Sequence, residues 1–464
     1  MARILFFNPP SRYHVYLKTN VKVGAPSYPN LTLATLAGDL IKAHQVVIYD
    51  LDLYENSTAK LLQKIKSFKP DIVAASAKTP DYLSVVEIMT RIKRKFPFVK
   101  TIVGGVHVSA MPEEAVKMEC FDTVVLGEGD GVISEILTGK PLKKVMGIGY
   151  RVGRKLIFTG KRKMIKNLDS LPYPAWQLFQ LKRYKNSRLS SRNNPVGLIE
   201  TSRGCSYRCN FCSKLIFGVY YRTKSVTRVV DELQYLLDCG FKEIHITDDS
   251  FTQNITRAKD ICREIIRRKL KFSWSLINGI RVNFVDEEFF RLAKRAGCWQ
   301  TGLGIESGDQ KVLDTIKKGI TLNQVAKAVK KAEKVGIDTF GFFIFGLAGE
   351  NEKSLRKTIQ FAKSLPLDIA KFDICIPYPG TEYYHDLDSR GKILTKQWDK
   401  YTCHQLEEPL YIHPNLNWNL LKKYYRRAFR EYYLRPNYIL KRFKKDFLRG
   451  DLFYDFKYFL LTKW

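Results

Sequence analysis

Short apolar runs alternate with amphipathic stretches through the first third of the chain. Residues 3–7, 45–49, 71–76, 100–103 and 123–126 are apolar enough to predict strands, and residues 31–43, 57–68, 82–95, 112–118 and 132–137 carry the helical period between them. Strands alternating with helices predict βαβ units and a parallel sheet over residues 1–140. The rhythm returns from residue 191. Six runs, at 196–200, 242–247, 272–277, 301–305, 339–345 and 371–376, each end in a polar or glycine-rich loop. The expected class is α/β: a Rossmann-like doubly wound parallel sheet, then a partial (β/α)6 barrel of the TIM type over residues 191–400 with its chemistry on the C-terminal rim. Between them, residues 141–190 predict a small basic hairpin with turns at Gly147, Gly149, Gly153 and Gly160. Pro172 and Pro174 then stiffen the connection.

From residue 401 the pattern changes to an α-helical tail. Lys422, Lys423, Arg426, Arg427 and Arg430 recur at helical spacing, interleaved with Tyr425, Phe429, Tyr432 and Tyr433, and residues 453–461 are again rich in aromatics. The favoured arrangement has the aromatics capping the barrel while the cations face water. The next is a basic amphipathic helix lying on an anionic membrane surface, and nucleic acid comes last.

Composition narrows the classes. A chain of 464 residues with 45% hydrophobic content builds two or three cored domains. The start reads as a buried strand instead of a leader, and no apolar run is long enough to span a bilayer, so a cytoplasmic protein is expected, with attachment to the inner membrane face as the variant set by the tail. The 78 Lys+Arg against 46 Asp+Glu give +32, which suits anionic partners such as phospholipid head groups or a phosphorylated substrate, and equally suits plain solubility.

The most specific chemistry lies in Thr201-Ser202-Arg203-Gly204-Cys205-Ser206-Tyr207-Arg208-Cys209-Asn210-Phe211-Cys212. Iron–sulfur cubanes take four cysteines as a rule. Three thiolates on one loop, Cys205, Cys209 and Cys212, hold three irons and leave the fourth open to a small chelating molecule. A zinc site would want a fourth Cys or His at comparable spacing. A disulfide framework would need a small chain dense in cysteines. The other six cysteines, Cys120, Cys239, Cys262, Cys298, Cys375 and Cys403, are scattered in apolar surroundings and read as small buried hydrophobes.

This loop resembles the signature of the radical S-adenosylmethionine (SAM) superfamily. The resemblance implies a [4Fe-4S] cluster whose open iron chelates the amino and carboxylate groups of SAM, and one-electron cleavage of SAM to a 5′-deoxyadenosyl radical. It also implies a reducing partner of the flavodoxin or ferredoxin type. Gly304-Ile305-Glu306-Ser307-Gly308 with Lys318-Gly319-Ile320-Thr321 resembles the fourth-strand region of the same superfamily. The expected SAM contacts follow from the rim loops. Asp248 or Asp249 serves the amino group, Arg281 the carboxylate and Glu306 with Ser307 the ribose. Backbone near Phe211 serves the adenine, and Gly346 allows close approach. The alternative for any one acidic residue here is a helix N-cap.

Four loops at the strand ends of the first domain are also distinctive: Asn8-Pro9-Pro10, Ser76-Ala77-Lys78-Thr79, Gly104-Gly105-Val106-His107 and Gly127-Glu128-Gly129-Asp130. With Pro29-Asn30-Leu31 they resemble the cobalamin-binding domain fused to many radical SAM enzymes. The implied cobalamin contacts are Asn8, Ser76, Thr79, Gly104, Gly105, His107, Gly127, Glu128 and Gly129. The D-x-H-x-x-G element that supplies a histidine to cobalt in other cobalamin proteins is absent, and neither His14 nor His107 stands in its context. No G-x-G-x-x-G follows the first strand, which argues against a dinucleotide site.

The combined resemblance implies a cobalamin-dependent radical SAM enzyme, most simply a methyltransferase acting on an unactivated carbon or phosphorus centre. The acceptor is expected to be a small or lipid-linked molecule, with an anionic group favoured by the charge. Cyclisation or oxidation with cobalamin in a non-methylating role is the alternative within the family. An RNA methylthiotransferase would need three cysteines for a second cluster in residues 1–140, which contain only Cys120. A cobalamin- or SAM-sensing protein with a structural cluster is the alternative outside catalysis.

Overall fold

The computed structural model describes residues 1–11, 26–54, 57–188, 190–403, 407–450 and 453. Five strands of the first domain, β1 (Arg3–Asn8), β2 (Gln45–Asp50), β3 (Ile72–Ser76), β4 (Lys100–Gly104) and β5 (Thr123–Val125), pair in parallel in the order β2-β1-β3-β4-β5. Ile4, Leu5, Phe6 and Phe7 are all buried, because helices cover both faces of such a sheet and leave no solvated side for alternation. The order reverses between β1 and β3, so a crevice opens beyond their carboxyl ends. Asn8 and Ser76 stand at those ends. The expected hairpin forms as β6 (Ile148–Val152) and β7 (Lys155–Phe158) and continues the same sheet. Strand β6 pairs antiparallel with β5 through Val124↔Gly149 and Val125↔Ile148, covering an edge that β5 would otherwise expose.

The second sheet holds β8 (Val196–Ile199), β11 (Glu243–Ile246), β12 (Ser273–Ile280), β13 (Cys298–Glu306), β14 (Asp338–Phe345) and β15 (Ile369–Ile374). All six are parallel and paired in sequence order, as a partial barrel requires. The intervening labels belong to a two-stranded ribbon, β9 (Ser202–Arg203) antiparallel to β10 (Arg222–Thr223). This ribbon closes the base of the cysteine loop. The helices around the barrel start on side-chain caps: Ser225, Asn254, Asp286, Thr321, Asn351 and Thr381 each accept from a backbone N–H of the first turn.

Helix Trp418–Tyr433 packs on β14, β15 and helix Glu352–Ser364, burying Leu421, Tyr424, Tyr425, Ala428 and Tyr432. Lys423, Arg426 and Arg430 remain exposed, as the favoured reading of the tail expects. A second helix, Pro436–Arg449, follows. His14 and residues 454–464 lie outside the described residues. No helix among the described residues is long and apolar enough to cross a membrane.

Candidate functional site

The three cysteines share a loop that leaves the ribbon at Arg203 and returns at Arg222. Gly204 turns it with φ +81°; a Cβ there would lie 2.4 Å from the Tyr220 carbonyl, so the loop folds back too closely for any side chain. Cys205 is buried, Cys209 half-buried and Cys212 exposed. The thiols stand as separate side chains: among the described residues no group of three or more His, Cys, Asp or Glu is gathered tightly enough to enclose an ion. As donors they suit an iron–sulfur cluster, being three soft ligands on one loop. Although Cys212 is open to solvent on one side, the protein packed around its sulfur desolvates the thiol and pushes it up, and the Lys214 ammonium beside it opposes this. Lys214 is itself held above its ordinary value, because Cys212, Cys205 and Asp249 outweigh its desolvation.

The rim residues differ in what holds them. Asp249 is reachable by solvent yet walled by protein, the mark of a recess, and desolvation raises its carboxyl against the pull of Lys214. Arg281 stacks on Tyr207 with its guanidinium carbon 3.3 Å from the ring centroid, and its Nη1 lies 3.9 Å from Cys209 Sγ. Arg281 also donates to the Lys318 carbonyl. Glu306 ends β13 with φ +68°, a conformation strained for a residue with a side chain. Its Oε1 accepts from Lys318 Nζ at 2.5 Å. Phe211 is half-buried against the core.

Asp248 and Ser307 are engaged elsewhere. Asp248 accepts from Thr201 N (2.6 Å), Thr201 Oγ1 (2.5 Å) and Ser202 Oγ (2.5 Å), anchoring the strand that leads into the cysteine loop. The fully buried Ser307 pairs its hydroxyl with Thr358 Oγ1 (3.1 Å) and accepts from Asp309 N. Every side-chain oxygen of these two residues already has a protein partner. Ser250 Oγ, Arg281 Nε and Asn283 Oδ1, by contrast, are buried without a hydrogen-bond partner among the described residues, so this rim has polar capacity to spare for a ligand such as SAM.

The loop after β14 is held from behind. Gly346 has φ +87°, and a Cβ there would meet the Tyr411 hydroxyl at 2.6 Å. Tyr411 and Tyr383 both donate to the Gly346 carbonyl (3.0 and 3.3 Å). Glu350 Oε2 accepts from Gly346 N (2.6 Å) and Leu347 N (3.1 Å). Burial pushes the Glu350 carboxyl up to about 8, against those two bonds. A carboxyl raised in the folded state keeps a proton that the unfolded chain has lost, so its contribution to stability falls as pH rises from about 4.5 through about 8. The wild type is expected to lose about 4 kcal/mol over that range from this group alone, and Glu350→Gln to flatten the slope. Urea melts between pH 5 and 8 check this; equal slopes in both proteins would refute it.

In the first domain nothing lies within 4 Å of where a Cβ on Gly127 (φ +74°) would stand, so backbone meets open space at the carboxyl end of β5. A Cβ on Gly104 or Gly129 would sit in ordinary contact, 3.5 Å from Val125 and Leu36 respectively. At Gly105 (φ +112°), by contrast, a Cβ would meet Ala77 O at 2.6 Å and Ser76 Oγ at 2.9 Å, so only glycine lets the ends of β3 and β4 come this close. Asn8 is engaged, donating to Asp50 Oδ1 (2.8 Å) and accepting from Asn30 Nδ2 (2.7 Å). Thr79 Oγ1 lies 3.3 Å from His107 Nδ1. His107 is fully enclosed, tilted against Tyr82 (ring centroids 4.1 Å apart, planes at 36°) and edge-on to Trp398 (5.0 Å), so the structure gives it a packing place between the domains. Asp81 Oδ1 is buried without a partner among the described residues, while Asp81 Oδ2 accepts from Ser11 Oγ (2.6 Å) just beyond the end of β1, so this side of the crevice keeps an unspent polar atom.

Glu128 does not face open space. It accepts from Arg222 Nη2 (2.5 Å) and Ile165 N (3.1 Å), and its Oε1 lies 3.7 Å from Arg203. Asp130 takes a two-nitrogen grip from Arg203 (2.8 and 3.3 Å), and Glu200 accepts from Arg203 Nε at 2.5 Å. The two arginines that pair across the ribbon therefore tie the Gly-Glu-Gly turn of the first sheet to the base of the cysteine loop. Sequence reasoning missed this. The only signal was an Arg two places before the first cysteine.

A parallel sheet with an open crevice, locked at its carboxyl ends to a barrel that carries a three-cysteine loop, is the architecture of an enzyme that brings bound cofactors of two domains together. Comparison with known proteins agrees. Residues 199–362 match the Radical SAM superfamily and residues 18–137 the B12 binding domain. An uncharacterized methyltransferase of Pyrococcus horikoshii is 36% identical over 452 residues, covering 95% of this chain and 94% of that protein. The anaerobic magnesium-protoporphyrin IX monomethyl ester cyclase of Rubrivivax gelatinosus is 28% identical over 86% of this chain and 72% of its own. The cytidylyl-2-hydroxyethylphosphonate methyltransferase of Streptomyces wedmorensis is 29% identical, covering 73% and 70%. The radical SAM methyltransferase TsrM from Kitasatospora setae, solved with cobalamin and a [4Fe-4S] cluster, shares the fold with a TM-score of 0.68 at 20% identity over 84% of this chain and 75% of that one. The protein belongs to the cobalamin-binding radical SAM enzymes. Its cofactors are those of the family: a [4Fe-4S] cluster, SAM and cobalamin.

Proposed function

We propose that the protein is a methyltransferase acting on an unactivated carbon or phosphorus centre of a small or lipid-linked acceptor, and that it works against the inner face of a membrane. When bound, the cluster and cobalamin supply reductive cleavage of SAM and a transferable methyl group. The observation that carries the reading is the ionic lock of Arg203 and Arg222 on Glu128 and Asp130, which holds the ligand-facing ends of both sheets against each other. The methyltransferase relatives, one of them acting on a phosphonate by its name, support methyl transfer over other radical chemistry. The cyclase relative keeps a second reading in view, with no methyl transfer.

In this assignment Cys205, Cys209 and Cys212 hold the cluster. Arg281 receives the SAM carboxylate, Asp249 the amino group and Glu306 the ribose. Asp248, Ser307 and Gly346 act as positioning residues for the loops that carry those contacts. Asn8 and Gly105 shape the cobalamin crevice, while Ser76, Gly104, Gly127 and Gly129 border it. Reduced enzyme given SAM and a corrinoid is expected to release S-adenosylhomocysteine before any acceptor is added; 5′-deoxyadenosine alone would favour the cyclase-like reading. Glu306→Gln should weaken SAM binding about tenfold or more, because it removes a charged hydrogen bond, and should keep the cluster. Calorimetric titration showing unchanged SAM affinity would take Glu306 off the site.

A further inference from the structure

Helix Pro436–Arg449 is amphipathic with its faces reversed. A helix on a protein surface ordinarily turns its apolar side inward and its charges to water. Here, among the described residues, Tyr438 alone packs an apolar ring inward, against Tyr432 and Tyr433, with its hydroxyl on the Asp368 carbonyl (2.8 Å), and the other inward anchors are charged. Arg449 grips Asp338 through two nitrogens (2.6 and 2.9 Å), and Lys445 bonds both Asp338 (2.9 Å) and Asp368. Lys441 bonds Glu333 at 2.9 Å and the Pro366 carbonyl at 3.0 Å. Although burial acts the other way, Arg449 and Lys445 hold the Asp338 carboxyl at about 2, so these anchors stay charged at any physiological pH.

The outward side is apolar. Ile439, Leu440, Phe443 and Phe447 are 47, 70, 55 and 70% exposed, and their spacing puts them on one stripe. The exposed Lys444 stands within it. With Lys441, Lys445 and Arg449 each paired to an acidic group of the barrel domain, the rotation of the helix is fixed and its apolar stripe stays outward.

We infer that this ridge is the docking face for an anionic lipid bilayer. Leu440, Phe443 and Phe447 enter the interfacial zone, and Lys444 meets the head-group phosphates. The inference deepens the membrane-surface reading above and rests on it. Charge complementarity selects a bilayer over a second copy of the chain. A two-fold contact through this stripe would bring Lys444 near its own counterpart, between chains that each carry +32.

The test is co-sedimentation of the full holoenzyme with vesicles of phosphatidylcholine, alone or mixed with phosphatidylglycerol. Wild type is expected to pellet with the mixed vesicles and to leave them as salt rises. Phe443→Ser/Phe447→Ser should lose binding about tenfold or more with an unchanged melting temperature, since both rings are already more than half exposed. Lys444→Glu should lose binding to anionic vesicles alone. A wild type that never pellets overturns the membrane reading as a whole. A wild type that pellets with the double variant following it equally overturns the ridge and leaves the membrane reading standing on other parts of the tail. A wild-type dimer in sedimentation that the double variant abolishes assigns the face to a second copy and also overturns the proposal.

Discussion

Serine at any one of positions 205, 209 or 212 is expected to leave a folded protein that assembles no intact [4Fe-4S] cluster and forms no 5′-deoxyadenosine above background. The loop's shape does not depend on the sulfurs. The β9–β10 ribbon closes its base, Gly204 sets its turn, and Asp248 anchors Thr201 and Ser202 with three short hydrogen bonds. Cys209 and Cys212 are not core residues, so the exchange of sulfur for oxygen opens no cavity there. The chemistry is another matter, because three ligands for four irons leave no spare. Loss of an outer partner of a metal ligand costs 10–100-fold; loss of a ligand here should cost more than about 10³-fold. Iron and sulfide content, the visible charge-transfer absorbance and 5′-deoxyadenosine yield check it together. A variant that keeps both cluster and turnover would show that the wrong residues have been assigned.

Arg203→Ala should be the most damaging change outside the loop. The Arg203 and Glu128 side chains are each only 4% exposed. Removing the guanidinium strands the carboxylates of Glu128, Asp130 and Glu200 against one another, with Arg222 left to balance them. Breaking a buried pair from one side costs about 3–5 kcal/mol. The stability loss should come with loss of activity, since the same residue fixes the cysteine strand to the cobalamin-domain turn. Arg203→Lys should rescue little, as a point charge cannot reproduce the two-nitrogen grip on Asp130 together with the bond to Glu200. Asp130→Asn should cost less, and the double variant less than the sum of the two. Additive effects in that cycle, measured by chemical denaturation, would mean that the contact between Arg203 and Asp130 carries no coupling.

The strand rhythm made both sheets legible, because parallel strands buried on two faces leave continuous apolar runs that periodicity detects. The cysteine loop stood out because its pattern is local: three cysteines within eight residues. The lock was not, since Arg203, Glu128 and Asp130 meet only after two domains have folded, and a Gly-Glu-Gly turn read as ligand-facing is indistinguishable from one that faces a neighbour. The same holds for His107, which has the sequence context of a ligand residue at a strand end and sits instead between Tyr82 and Trp398, a tryptophan from the far end of the barrel domain. Asp248 and Asp249 are adjacent in sequence and opposite in use, one clamping the cysteine strand and the other lining the recess. Only the path of the backbone after β11 separates them. Lys318 was visible as part of a resemblance, but its partnership with Glu306 depends on the turn that the positive φ of Glu306 permits.

Radical chemistry at this site depends on a cluster with one iron open to SAM. Anaerobically reconstituted protein should be reduced with dithionite, given SAM, and assayed for 5′-deoxyadenosine. Formation that requires protein, SAM and reductant together is the predicted result. A fully loaded, reduced cluster that leaves SAM intact would contradict it.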